Sequence, residues 1–207
     1  MQTDTYSNLL TLVKALSGNT SLTPQEETLI GSFINRRIYN AYRRSSYWPL
    51  YMVLGEARAA SSNVIPFDQV TLNSVDTFLR VYDQQPYLTN SVDEFEFVVT
   101  YDGARVLSNT DSLTTFYVDY KKRWEGDYNN TTNQNVPLEF FHYGAHAAFA
   151  DFLRYDGQND KAAAEEGYAE SLLVLELEDV MNQRNFNTAG KRIRSHQTTQ
   201  SRHSSTR

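Results

Sequence analysis

One short stretch carries the residues best suited to chemistry. Glu139-Phe140-Phe141-His142 is a Glu-x-x-His, and His146 lies four positions further on. On a helix these three side chains share a face. A carboxylate and two imidazoles so placed could hold zinc or half of a di-iron centre. Two features count against a metal. A di-iron centre needs a second Glu-x-x-His, and the sequence has none. A zinc protease needs a glutamate beside the first histidine, where Tyr143 stands instead. The expectation is two ordinary histidines, hydrogen-bonded at a helix seam or exposed, with no metal and no cofactor. Other catalytic signatures are missing too. There is no Gly-x-Ser-x-Gly, no Gly-x-x-x-x-Gly-Lys and no Gly-x-Gly-x-x-Gly. The acid pairs Glu165-Glu166 and Glu178-Asp179 read as neighbours on solvated helix faces. With no cysteine, thiol nucleophiles, disulfides and Cys-based metal sites are excluded. The sequence points away from an enzyme.

A second stretch, Ile34 to Tyr51, mixes four arginines (Arg36, Arg37, Arg43, Arg44) with four tyrosines and Trp48. Such a mixture could grip a phosphate backbone and stack on bases. It could equally be one amphipathic helix closed by an aromatic anchor. The elements around it favour the helix. Thr23-Pro24-Gln25-Glu26 reads as an N-cap, a proline in the first turn and a capping-box glutamate. Leu29, Ile30, Phe33, Ile34, Ile38 and Ala41 follow at spacings of three and four. The arginines lie largely off that stripe, as a solvated face or a surface that meets a neighbouring subunit. Pro49 disfavours helical geometry at Trp48. Tyr47, Trp48 and Pro49 are expected to anchor the helix end in the core.

The rest of the chain reads as mixed α+β. An earlier helix should run from Asp4 or Thr5 to Leu16, with Leu9, Leu10, Leu12, Val13 and Leu16 inward. From Asn63 to Trp124 the pattern turns β-branched and aromatic. Phe95, Phe97, Val99 and Tyr101 alternate with Glu94, Glu96, Val98 and Thr100, and Asp102-Gly103 supplies a hairpin turn. Phe116, Val118 and Tyr120 alternate likewise with Tyr117, Asp119 and Lys121. A polar loop from Glu125 to Asn135 follows. Then come a helix opened by Pro137 and ended at Asp156-Gly157, and a last long helix. The expected architecture is a bundle of about four helices, residues 1–61 and 125–184. A small antiparallel β subdomain is inserted at 62–124, and an extended tail occupies 185–207.

Charge is unevenly spread over the 207 residues. The net charge is −6. Asn185 to Arg207 hold Lys191, Arg192, Arg194, Arg202 and Arg207 and no acid, which makes +5. The remainder sets 14 basic groups against 25 acids, or −11. Such a tail, poor in apolar residues, should be disordered when free and could order on a partner or on nucleic acid. No run of about 18 apolar residues exists, so no membrane span is expected. The N-terminus lacks a secretory pattern.

Several passages resemble the head-to-tail connector adaptors of tailed bacteriophages, of the tail tubular protein A type. "LIGSFINRRIYNAYRRSSYWP" resembles their helix that ends in aromatic-Trp-Pro. "NVIPFD" and "FYVDYKKRW" resemble the segments that open and close their β insertion. "HYGAHAAFADFLRYDGQNDKAAAEEGYAESLLVLE" resembles their closing helical pair. The likeness covers most of Leu9 to Asn185 and rests on order and spacing. It implies a virion protein at the head–tail junction, assembled in the host cytoplasm as a dodecameric ring beneath the portal. The ring extends the DNA channel toward a tail or nozzle protein, and genomic DNA passes without sequence-specific binding. By position, Phe186, Lys191, Arg192, Ile193, Arg194, Arg202 and Arg207 would dock on the portal. The alternative is a small DNA-binding or packaging protein that uses the basic tail and the arginine-rich helix.

Overall fold

The structure, a computed structural model, describes residues 3–18, 21–88, 92–107, 113–129 and 135–203, with side chains as far as 182. It is a mixed α+β protein with four helices and antiparallel sheets. The chain divides into two compact units. One takes in residues 39–128; the other takes in 2–38 and 129–207. The β unit is therefore wider than residues 62–124. It begins inside the second helix and includes a strand, Met52–Ala59, that the sequence hides behind Gly55 and two alanines.

In the helical unit, the short strand β1 (Thr3–Thr5) pairs antiparallel with β9 (Asn135–Pro137). Helix α1 (Tyr6–Ser17) starts where Thr5 Oγ1 accepts a bond from the Asn8 amide at 3.3 Å, and it ends at left-handed Gly18. Tyr6, Leu9, Leu10 and Val13 are buried at helical spacing, while Leu12 and Leu16 are only half-buried. Helix α2 spans Pro24–Arg44 and carries the expected capping box. The Glu26 amide donates to Thr23 Oγ1 at 3.3 Å, and the Thr23 amide donates to Glu26 Oε2 at 2.7 Å. Ile30, Ile34 and Ile38 are fully buried. Helix α3 (Leu138–Tyr155) is lined with small residues. At Gly144 an added Cβ would meet Ile38 Cγ1 at 3.0 Å, so the glycine lets two helices approach closely. Helix α4 spans Asn159–His203. Its backbone continues past Asn185 through residues expected to form an extended tail. That stretch has one glycine and no proline, and each further helical residue gains a backbone bond.

In the β unit, two sheets enclose one core. One has the order β2 (Met52–Ala59), β8 (Thr115–Lys122), β4 (Val75–Tyr82), β5 (Glu94–Phe95). The other has the order β3 (Val64–Pro66), β7 (Gly103–Val106), β6 (Phe97–Val99). Ile65, Phe78, Val81, Ala104, Phe116, Val118 and Tyr120 belong to the buried cluster. The alternating run from Glu94 to Tyr101 is not one strand. It breaks at Glu96, and its halves join different sheets. The hairpin closes on Thr100 and Gly103, so its two loop residues are Tyr101 and Asp102, one position earlier than the dipeptide suggests. On β8 the alternate residues Asp119 and Lys121 are buried as well, at 4% and 2% exposure.

Candidate interaction surfaces

The arginines of α2 divide into two pairs with different surroundings. Arg36 and Arg37 turn toward Asp151 of α3. Arg37 donates to Asp151 through Nε at 2.8 Å and Nη2 at 2.6 Å, a two-pronged bond, and Arg36 Nη2 donates at 2.8 Å. Arg37 also reaches Glu166 of α4 at 2.9 Å, and Arg154 pairs with both acids. Asp151 is buried, as is most of Arg37, while Arg36 stays largely in solvent. The hydrogen bonds that Arg37 donates to Asp151 raise its pKa despite partial burial. The Asp151 carboxyl titrates below its ordinary value. Burial alone would raise it, but the bonds from Arg37 and Arg36 outweigh that cost. This cluster ties three helices of one chain together. Arg37 is therefore not part of a wet face. Arg43 and Arg44 are exposed.

Trp48 is the anchor of the aromatic trio. It is 1% exposed, and its Nε1 donates to the Ala41 carbonyl at 2.9 Å. Tyr47 is half-buried and Pro49 is exposed, where it opens a 3-10 turn through Tyr51. Beside this turn Tyr42, Tyr51, Trp124 and Tyr128 pack ring against ring. Lys121 Nζ lies 3.4 Å from the Tyr42 ring centroid and donates to the Tyr42 carbonyl at 2.8 Å. Burial pushes the Lys121 amine down to about 8, against the pull of Asp76.

The two histidines of the Glu139, His142, His146 face have different surroundings. His142 is exposed, and His146 pairs with Glu165 and meets the Tyr168 ring edge-on at 4.8 Å. No group of three or more metal-ligating residues occurs among the described residues. Glu165 and Glu166 are thus partnered rather than simply solvated.

Two buried polar sites in the β unit have no warning in the sequence. Arg58 is fully buried. It donates to Glu56 and to the carbonyls of Asn73 and Phe67, with Tyr120 beneath its guanidinium. Asp119 accepts from the Gly55 amide at 2.7 Å and from the hydroxyls of Tyr82 and Tyr87. Arg58 holds two backbone carbonyls in place and Asp119 a backbone amide and two tyrosine hydroxyls; Glu56 on β2 and Lys122 on β8 are charged too, so charge alone does not single out the buried residue.

Residues Phe186, Lys191, Arg192, Ile193, Arg194 and Arg202 lie on the helical backbone of α4, and their side chains fall outside the described set, as does Arg207 entirely. No described helix is long and apolar enough to cross a membrane. No protein-family model matches the chain, and no curated protein matches it.

Proposed function

We propose that the protein is a structural connector adaptor of a tailed bacteriophage. In this reading the chain is one subunit of a ring beneath the portal, and the ring offers a docking surface to a tail or nozzle protein. The C-terminal segment 185–207 is the arm that docks on the portal. The observation that carries the reading is the insertion itself. A helical unit is interrupted in sequence by an antiparallel β unit over 39–128, entered through helix α2, which ends at Arg44 shortly before buried Trp48, and left after β8. That order matches the order of the resembling motifs. A head-to-tail contact that closes makes a ring. Excess acid over the first 184 residues suits a channel through which DNA must slide without sticking.

The test is imaging of the full chain and of a chain ending at Asn185, each mixed with the portal protein encoded beside it. Rings on the portal that require the tail support both the connector and its arm. Rings without that requirement keep the connector and remove the arm. The +5 tail favours one second reading, a DNA-binding packaging factor. Absence of any complex, with tight and steeply salt-dependent binding of duplex DNA, would select it.

A further inference from the structure

Among the described residues, the break at Glu96 leaves a bare strand edge. β6 is the last strand of its sheet. Its ladder to β7 runs through alternate residues. The Leu107 amide donates to the Glu96 carbonyl at 2.9 Å, and the Thr100 amide donates to the Gly103 carbonyl at 2.8 Å. Val98 opposite Arg105 keeps the same register. Antiparallel pairing alternates between bonded and non-bonded pairs. Phe97 and Val99 therefore turn their N–H and C=O groups to the open side. No proline, lysine or register shift blunts this edge.

The surroundings of the edge say what would cover it. Val98, Val99, Tyr101 and Leu107 are about half exposed or more, with Tyr101 at 97%. An open groove lined by Glu94, Phe95, Glu96, Phe97 and Leu107 lies alongside. Residues 92–107 carry four acids, Asp93, Glu94, Glu96 and Asp102, against one base, Arg105. Glu94 faces Arg80 at 3.9 Å, whereas Glu96 has no ion-pair partner among the described residues. A second copy pairing edge to edge would set these acids against themselves. Nucleic acid would meet the same repulsion. An apolar edge fringed with carboxylates is complementary to a basic strand.

We infer that β6 is a docking edge for an extended, basic segment of a partner protein, in which lysine or arginine alternates with apolar residues and adds as a further strand. Main-chain bonds to Phe97 and Val99 supply affinity, and Glu96 with the groove selects the sequence. This holds whether or not the protein is a connector.

The test uses the full chain and two fluorescent eight-residue peptides, one alternating lysine with valine, the other glutamate with valine. Anisotropy should show the lysine peptide binding at least about tenfold more tightly at low salt, with the gap shrinking as salt screens it. Val99→Pro removes an outward N–H and none of the ladder donors to β7, so it should weaken the lysine peptide about tenfold or more. Glu96→Lys should erase the charge preference. Should Val99→Pro disturb folding, a lysine peptide N-methylated at alternate amides tests the same bonds from the other side and should fail to bind. Equal binding of both peptides would overturn the charge argument. Undiminished binding of the methylated peptide, or no binding of the lysine peptide at millimolar concentration, would overturn strand addition. A dimer that Val99→Pro converts to monomer would assign the edge to a second copy and overturn the proposal.

Discussion

Replacing Asp151 with asparagine probes the helical unit at its most heavily bonded point. The side chain is 6% exposed and accepts from Arg37 twice, from Arg36, and from Arg154 at 3.4 Å. Asparagine keeps the size but removes the charge and turns an N–H pair toward guanidinium donors. Arg36 and Arg154 are 58% and 39% exposed, so their bonds contribute at most about 1 kcal/mol each. Arg37 is 13% exposed. Breaking a buried pair costs roughly 3–5 kcal/mol. Arg37 keeps Glu166, which places the loss near the low end, about 3 kcal/mol. For a chain of this length that is roughly 6–12 °C in Tm. Thermal unfolding followed by far-ultraviolet circular dichroism at pH 7 reads it directly. The Asp151 carboxyl has a folded pKa below its unfolded value of about 3.9. Its contribution is thus present above that unfolded value and is lost as pH falls through the folded one. The gap between wild type and Asp151→Asn should therefore narrow below about pH 4. A Tm within about 2 °C of wild type at pH 7, or a gap that does not change with acid, would refute the reasoning.

Three further outcomes are expected. Trp48→Ala deletes a buried indole and its bond to Ala41, and should cost about 3–5 kcal/mol in thermal unfolding, with dye binding that reports a loosened core. Gly103→Ala would bring a Cβ within 2.0 Å of the Ile65 carbonyl oxygen at φ +152°, so β3 must part from β7; exchange protection along β3 should fall while that of α1 is unchanged. Lys121→Met tests the buried amine. Its folded pKa of about 8 lies below the unfolded value of about 10.4, so between them the unfolded chain binds more protons and wild type gains stability as pH rises. Urea unfolding should show wild type gaining on Lys121→Met from about pH 8 to pH 10, and parallel curves would exclude the shift.

What was legible in the sequence was local. Thr23 and Glu26 lie three residues apart, so their reciprocal capping is written in four letters. Trp48 before Pro49 announced a chain turning inward, and the indole is buried. Long-range partners were not legible. Nothing near Arg37 distinguishes it from Arg44; its burial depends on Asp151, 114 positions away. The one clue lay on the other side, an aspartate between Ala150 and Phe152 in an otherwise apolar run. The Glu94–Tyr101 alternation failed for a related reason. Alternation states which face is apolar, but the choice of sheet is made by partners, Val81 for Phe95 and Val106 for Phe97. Strand β2 was hidden because Gly55 and alanines carry little β preference, and pairing with β8 overrides it.

The two charge clusters bear differently on function. In the helical unit Arg36 and Arg37 are spent on Asp151 and Glu166, so half of the arginine-rich stretch is committed to internal bonds before any partner arrives. Of that stretch's arginines, Arg36, Arg43 and Arg44 still reach solvent, and three guanidiniums are a small footprint for binding driven by counterion release. The DNA-binding alternative therefore rests on the tail alone. Around β6 the opposite holds. Asp93 and Glu96 have no ion-pair partner among the described residues, and among those residues the outward backbone groups of the strand beside them face no neighbouring strand. Paired charges hold this chain to itself, and unpaired ones mark where another chain can join it.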